Sequence, residues 1–219
     1  MKADYLDFFK ELAANNNKEW FDKNRKRYES SVREPFKIFV SDLIAEISKQ
    51  DAEVQIESKD AIFRINRDIR FSKDKTPYKL NNSAIISKMG RKDKNYPGIY
   101  VELSPDKLRF YGGVYAPDTS QIQKIREAIS NKKQEFNSIL NNKDFVERFG
   151  EIRGEKNKRI PKEFLQEAIT QPLLFNKQWY YYSELSPDII LKEDLLETIL
   201  DQSRSATAMR LFLKDALYG

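Results

Sequence analysis

Apolar positions recur at helical spacing through the first fifty residues, alternate over the next sixty, and then return to helical spacing. Tyr5, Leu6, Phe8, Phe9 and Leu12 predict a helix over 4–14, and the run Asn15-Asn16-Asn17 ends it and caps the next. The second helix runs from Lys18 to about Arg33, with Trp20, Phe21, Asn24 and Tyr28 on one side. Pro35 opens a third with a stripe of Phe36, Phe39, Val40, Leu43, Ile44 and Ile47. After Asp51 the period becomes two. It predicts strands over Val54–Ile56, Ala61–Phe71 and Ser83–Met89, then a hairpin of 99–103 and 108–115 around Ser104-Pro105-Asp106-Lys107. Gly90 to Gly98 reads as a turn. Helices follow near 120–130, 133–141, 144–149, 161–169, 193–203 and 206–217, with a strand at 178–182.

Helices, then short-looped strands, then helices describe an α+β fold. The sheet, about residues 54–116, is antiparallel because its connections are too short for crossovers. N-terminal helices (about 4–50) and a mostly helical C-terminal part (about 118–217) are expected mainly on one side. With 219 residues and no evident linker or repeat, one domain over 1–219 is the expectation. No apolar run approaches the ~18 residues of a membrane span. The N-terminus shows no signal-peptide core, so a cytoplasmic protein with no membrane partner is expected.

Composition narrows the chemistry. The chain has no Cys and no His. That excludes disulfides, thiolate nucleophiles, Ser-His-Asp triads and the commonest metal ligand. Catalysis would fall to Asp/Glu, Lys, Tyr, Arg or an oxygen-ligated metal such as Mg²⁺, and no cofactor is identifiable. The net charge of +5 is a mild bias towards anionic partners, but it is unevenly spread. Residues 59–79 hold seven Lys/Arg against three Asp, whereas Tyr180–Asp201 holds six acids against Lys192 alone.

The basic run contains FRINRDIRFSKDKTPYK, Phe63 to Lys79. As a strand it sets Phe63, Ile65, Arg67, Ile69 and Phe71 on one face and Arg64, Asn66, Asp68 and Arg70 on the other. Arg67 then lies among apolar residues and needs a carboxylate, carbonyls or a bound anion. Arg64, Asp68 and Arg70, at steps of roughly 7 Å, suit an ion-pair network or two guanidinium forks converging on one anion. Asp74, Lys75 and Tyr78 form a loop stiffened by Pro77. Ligand-binding candidates are Arg64, Arg67, Arg70, Lys75 and Tyr78. Catalytic candidates are Asp68, Asp74 and Tyr78.

The order Arg64-x-x-Arg67-Asp68-x-Arg70-Phe71-x-x-Asp74-Lys75-x-x-Tyr78 resembles the signature of the bacterial family called domain of unknown function 2461. Asn16-Asn17-Lys18-Glu19-Trp20-Phe21 resembles its N-terminal signature, and Tyr111-Gly112-Gly113-x-Tyr115-x-Pro117 its glycine-containing strand end. The resemblance covers nearly the whole chain, while Gln171 to Tyr182 departs from it. It implies a shared fold and a bacterial distribution with fungal relatives, and it implies no activity.

Trp20, Asn24 and Tyr28, four residues apart on one helix, could wall a pocket or simply pack. Gly112 and Gly113 admit either a ligand or another backbone. Trp179-Tyr180-Tyr181-Tyr182 could stack on bases or split between core and edge. Glu57-x-Lys59 would need a strand and a further Asp (Asp51 or Asp60) to make a Mg²⁺ nuclease site. Three functions compete. The first is a domain binding a small phosphate- or carboxylate-bearing ligand, with phosphoester processing as its enzymatic form. The second is a nucleic-acid-associated module using the basic segments 59–79, 91–94 and 153–162. The third is an interaction domain in which the charged run is only an ion-pair lock. Oligomeric state is not legible.

Overall fold

The computed structural model describes residues 1–93 and 95–219, so the basic segment 91–94 lies partly outside the described residues. The N-terminal helices are α1 (Ala3–Ala14), α2 (Lys18–Lys23), α3 (Arg25–Arg27) and α4 (Glu34–Gln50), with a π-helical turn, Tyr28–Arg33, before α4. The helix expected over 18–33 is thus interrupted. At Asn24 the backbone leaves helical geometry (φ −100°, ψ 9°), and its side-chain amide and backbone N–H both donate to Trp20 O, at 2.9 and 3.0 Å, closing α2.

No strand forms over 54–56 or 61–71, which corrects the alternation-based expectation. Glu57 and Asp60 close a capping box that turns the chain into a short helix, α5 (Ser58–Ala61). Beyond it only isolated bridges remain, Ile62 with Ala84 and Asn66 with Tyr78. Asp68 and Asp74 accept from the backbone N–H two residues on, Arg70 at 3.3 Å and Thr76 at 2.9 Å. Such side-chain bonds offer the backbone turns in place of a ladder, and Pro77 has no N–H to give one. The alternation of burial fails accordingly: Ile65 is buried, yet Phe71 is 96% exposed.

The regular strands are β1 (Asn82–Ile86), β2 (Ile99–Leu103), β3 (Leu108–Val114) and β4 (Trp179–Leu185), in the order β1-β2-β3-β4 of one antiparallel sheet. Ser104 shapes the β2–β3 turn, its hydroxyl donating to Lys107 O at 2.9 Å and accepting from Lys107 N at 3.1 Å. Along β2, β3 and most of β4, buried residues alternate with partly exposed ones. That is the pattern of an antiparallel sheet with one face in the core. With α6 (Thr119–Asn131), α7 (Lys133–Leu140), α8 (Lys143–Phe149), α9 (Leu165–Ala168), α10 (Leu195–Ser205) and α11 (Thr207–Tyr218), the fold is α+β. Among the described residues no helix is long and apolar enough to cross a membrane.

The chain forms two compact units: residues 1–92, 100–110 and 184–200, and residues 93–99, 111–183 and 201–219. In the first, α4 lies against β1 and the π-helical turn. Its core includes Tyr5, Phe8, Phe9, Phe21, Tyr28 and Tyr78. Arg27 joins α1 to α3 by donating to Asp4 and Glu11, and this holds both carboxyls below the usual range. In the second, α11 packs on α6 and α7, with Phe136 and Phe212 centred 5.0 Å apart. The Tyr181 ring lies 5.1 Å from Phe145 and 4.9 Å from Phe149. Arg126 is buried there, and its guanidinium donates to Leu174 O and Asn176 O at 2.8 and 3.2 Å.

Candidate functional site

In the first unit the charged run makes a short stem and a loop. Lys79 N donates to Ile65 O at 2.8 Å and Arg67 N to Pro77 O at 2.9 Å, flanking the Asn66–Tyr78 bridge. Residues 68–76 are the loop, closed from inside by its own polar groups. Arg70 grips Asp68 with a two-point fork, Nε to Oδ1 at 3.0 Å and Nη2 to Oδ2 at 2.7 Å. Lys75 Nζ donates to Ile69 O at 2.9 Å. Arg67, its side chain 26% exposed, donates through Nη1 to the Asp74 carboxylate, the Thr76 hydroxyl and, at 3.2 Å, Thr76 O. The backbone N–H of Thr76, then Arg67 and the Thr76 hydroxyl, hold the Asp74 carboxyl down at about 2. Arg70 lowers Asp68 in the same way.

The stem is fastened at its base. Asn16 stands in for a strand neighbour, its Nδ2 donating to Tyr78 O at 2.9 Å and its Oδ1 accepting from Tyr78 N at 3.1 Å. Asn17 separately caps α2 by accepting from Trp20 N at 2.9 Å. The Tyr78 ring is 6% exposed and stacks on Phe21 with centroids 4.1 Å apart and planes 16° from parallel. Tyr78 therefore anchors the stem rather than standing in the loop. The Trp20 and Tyr28 rings both lie 5.5 Å from Phe8, and burial pushes the Tyr28 hydroxyl up to about 12. These rings, with Asn24 bound to Trp20 O, are joined by packing.

Two cations at the stem stand apart. The Arg64 side chain is exposed and forms no hydrogen bond or ion pair among the described residues. Lys79 is half-buried, and its ammonium lies 5.3 Å from the centre of the Phe63 ring with no acceptor among the described residues. Burial, and then the Arg64 charge, lower its pKa. Glu102 pulls the other way, but it is already engaged by Tyr100 Oη at 3.2 Å and Arg109 Nη1 at 2.5 Å. Arg109 also donates to Glu184 at 2.9 Å, and Lys107 pairs with the same carboxylate. In the sequence Lys79 is one of seven Lys/Arg of the basic run, and nothing in the composition of that run sets it apart. Its place beside Tyr78 carried the signal, because one residue past a buried stem tyrosine the side chain turns to the other face.

The remaining candidates lie elsewhere. Glu57 pairs with Lys59 at 2.9 Å on the α5 turn, and among the described residues no Asp/Glu group has metal-binding geometry. In the second unit, a Cβ on Gly112 would fall 2.4 Å from Tyr181 Oη. One on Gly113 (φ +99°) would fall 2.2 Å from Trp179 O. What approaches both glycines is the protein's own β4.

A family model described as conserved hypothetical protein (DUF2461) matches residues 4–212. No curated protein and no solved structure matches the chain.

Proposed function

For this chain, which belongs to the DUF2461 family, we propose a binding domain for a small phosphate- or carboxylate-bearing ligand whose anionic group is held by Arg64 and Lys79. The observation that carries the reading is a partly desolvated ammonium without an acceptor, beside a guanidinium without one. Cations removed from water are ordinarily paired, and a ligand anion would supply the missing charge. Arg67, Arg70, Asp68, Asp74 and Lys75 are engaged with one another or with loop backbone, so their part is to shape the loop 68–76 rather than to meet the anion. Asp68 and Asp74 have lowered pKa values, so they stay ionised and suit orienting arginines rather than taking up or delivering protons. This supports binding ahead of phosphoester processing.

The test is thermal shift and calorimetry with inorganic phosphate, sugar phosphates, mononucleotides and small carboxylates. A ligand that raises the melting temperature of the wild type should leave Arg64→Ala and Lys79→Met unshifted, while Arg70→Ala responds as wild type. Binding should also draw protons from alkaline buffer, because an anion restores the depressed Lys79 pKa upward. Equal shifts in all variants, or none with any ligand class, would remove the proposal.

A further inference from the structure

The second unit carries a different surface. Residues 153–156 extend the sheet beside β4. Arg153 N donates to Tyr180 O at 2.7 Å and Tyr180 N to Arg153 O at 3.1 Å, and Lys156 bridges to Asn176. Trp179 and Tyr181 point into the core, at 0% and 1% exposure. Tyr180 and Tyr182 consequently fall on the partly exposed face. The Tyr182 ring lies 5.2 Å from that of Tyr111 on β3, tilted by 30°, and the Arg153 guanidinium sits 4.1 Å from its centre. No carboxylate pairs with Arg153 among the described residues, and its Nη1 is buried beneath the surface without an acceptor. Two residues along β4, roughly 7 Å away, Tyr180 meets Tyr115 edge-on at 5.6 Å, and Tyr115 is 60% exposed. Between Tyr111 and Tyr115 the same strand puts Gly113, which adds no side chain to the platform.

The edge segment then runs into Lys156, Lys158, Arg159 and Lys162, all exposed and none in an ion pair among the described residues. Paired aromatic surfaces along one strand, a cation on one of them and unpaired cations on the flank are the elements of single-strand recognition. Bases stack on the rings and phosphates meet the cations. We propose that this face of the second unit binds single-stranded nucleic acid, with unpaired bases stacking at Tyr182–Tyr111 and Tyr115–Tyr180 and the phosphate chain running past Lys156 to Lys162.

Fluorescence anisotropy with labelled eight-residue oligo-dT and oligo-U, on the full chain, tests this. Removing a base-stacking ring weakens binding by roughly five- to a hundredfold. Tyr182→Ala and Tyr115→Ala should therefore each lose affinity in that range, while Tyr182→Phe keeps it. If all four flanking cations meet phosphate, affinity should fall about fifty-fold between 50 and 200 mM salt. Lys158→Glu with Arg159→Glu should flatten that dependence. Tyr115 is exposed enough for its alanine variant to fold even if the Tyr182 variant does not. No binding by the wild type at 50 mM salt overturns the proposal, as does binding indifferent to both tyrosines. Mononucleotides that compete as well as the octamers at equal base concentration would also overturn it, since the site would then take a nucleotide rather than a strand.

Discussion

At the scale of the residue, Asp74 shows how a loop can be held by polar groups alone. Its carboxyl sits at about 2 in the folded protein, below the unfolded carboxylate value of about 3.9. The folded state therefore binds fewer protons over that interval. The contribution to stability is complete above about pH 4 and is lost as pH falls towards 2. Asp74→Asn should flatten the fall in unfolding free energy between pH 4 and pH 2, read from urea melts, and an unchanged slope would refute the assignment. Arg67→Ala should reproduce part of this effect and lower the melting temperature at pH 7 by roughly 2–4 °C. The sequence already required that Arg67 find a carboxylate, carbonyl or anion. The structure supplies the Asp74 carboxylate and the Thr76 carbonyl. It did not disclose that Lys79 would be left without an acceptor, because that depends on Glu102 being occupied by Arg109 from across the hairpin.

At the scale of the element, Gly113 ties β3 to β4. Its φ of +99° costs a side chain about 1–2 kcal/mol, and a Cβ there would also strike the Trp179 carbonyl within a packed sheet. Gly150 also has positive φ, +72°, but open space around its Cβ position. Gly113→Ala should thus lower the urea midpoint by clearly more than Gly150→Ala, and equal losses would show that sheet closure is not the constraint. The strand containing Gly113 was legible, since 108–115 was expected and Leu108–Val114 is found. So was 99–103, and so were most of the helices before and after the sheet in the chain, 18–33 excepted. Those segments bury one face, and burial enforces the period. The stretch 61–71 alternates just as regularly but buries only Ala61 and Ile65, so side-chain bonds from Asp68 and Asp74 set its path instead. Periodicity alone does not separate these two cases. Capping chemistry does, and the Glu57–Asp60 box was visible in the sequence as an acid three residues before another.

At the scale of the whole molecule, the family match over residues 4–212 accords with the sequence reading, in which the signatures lie in order along nearly the whole chain. Strands β2, β3 and β4 each divide their residues between the two compact units. If residues 1–219 act as a single domain, heating gives one transition whose calorimetric and van't Hoff enthalpies agree. Two separated transitions would mean that the units melt independently. The Asn16 clamp also sets an order in time. Its partner Tyr78 lies 62 residues downstream, and closing so long a loop must be driven by other contacts. On a chain emerging from the ribosome, the Asn16 amide waits in water until residue 78 has been made. The clamp can thus close only after α1, α2 and α4 have been made, while residues 100–110 and 184–200 of the same unit have still to follow.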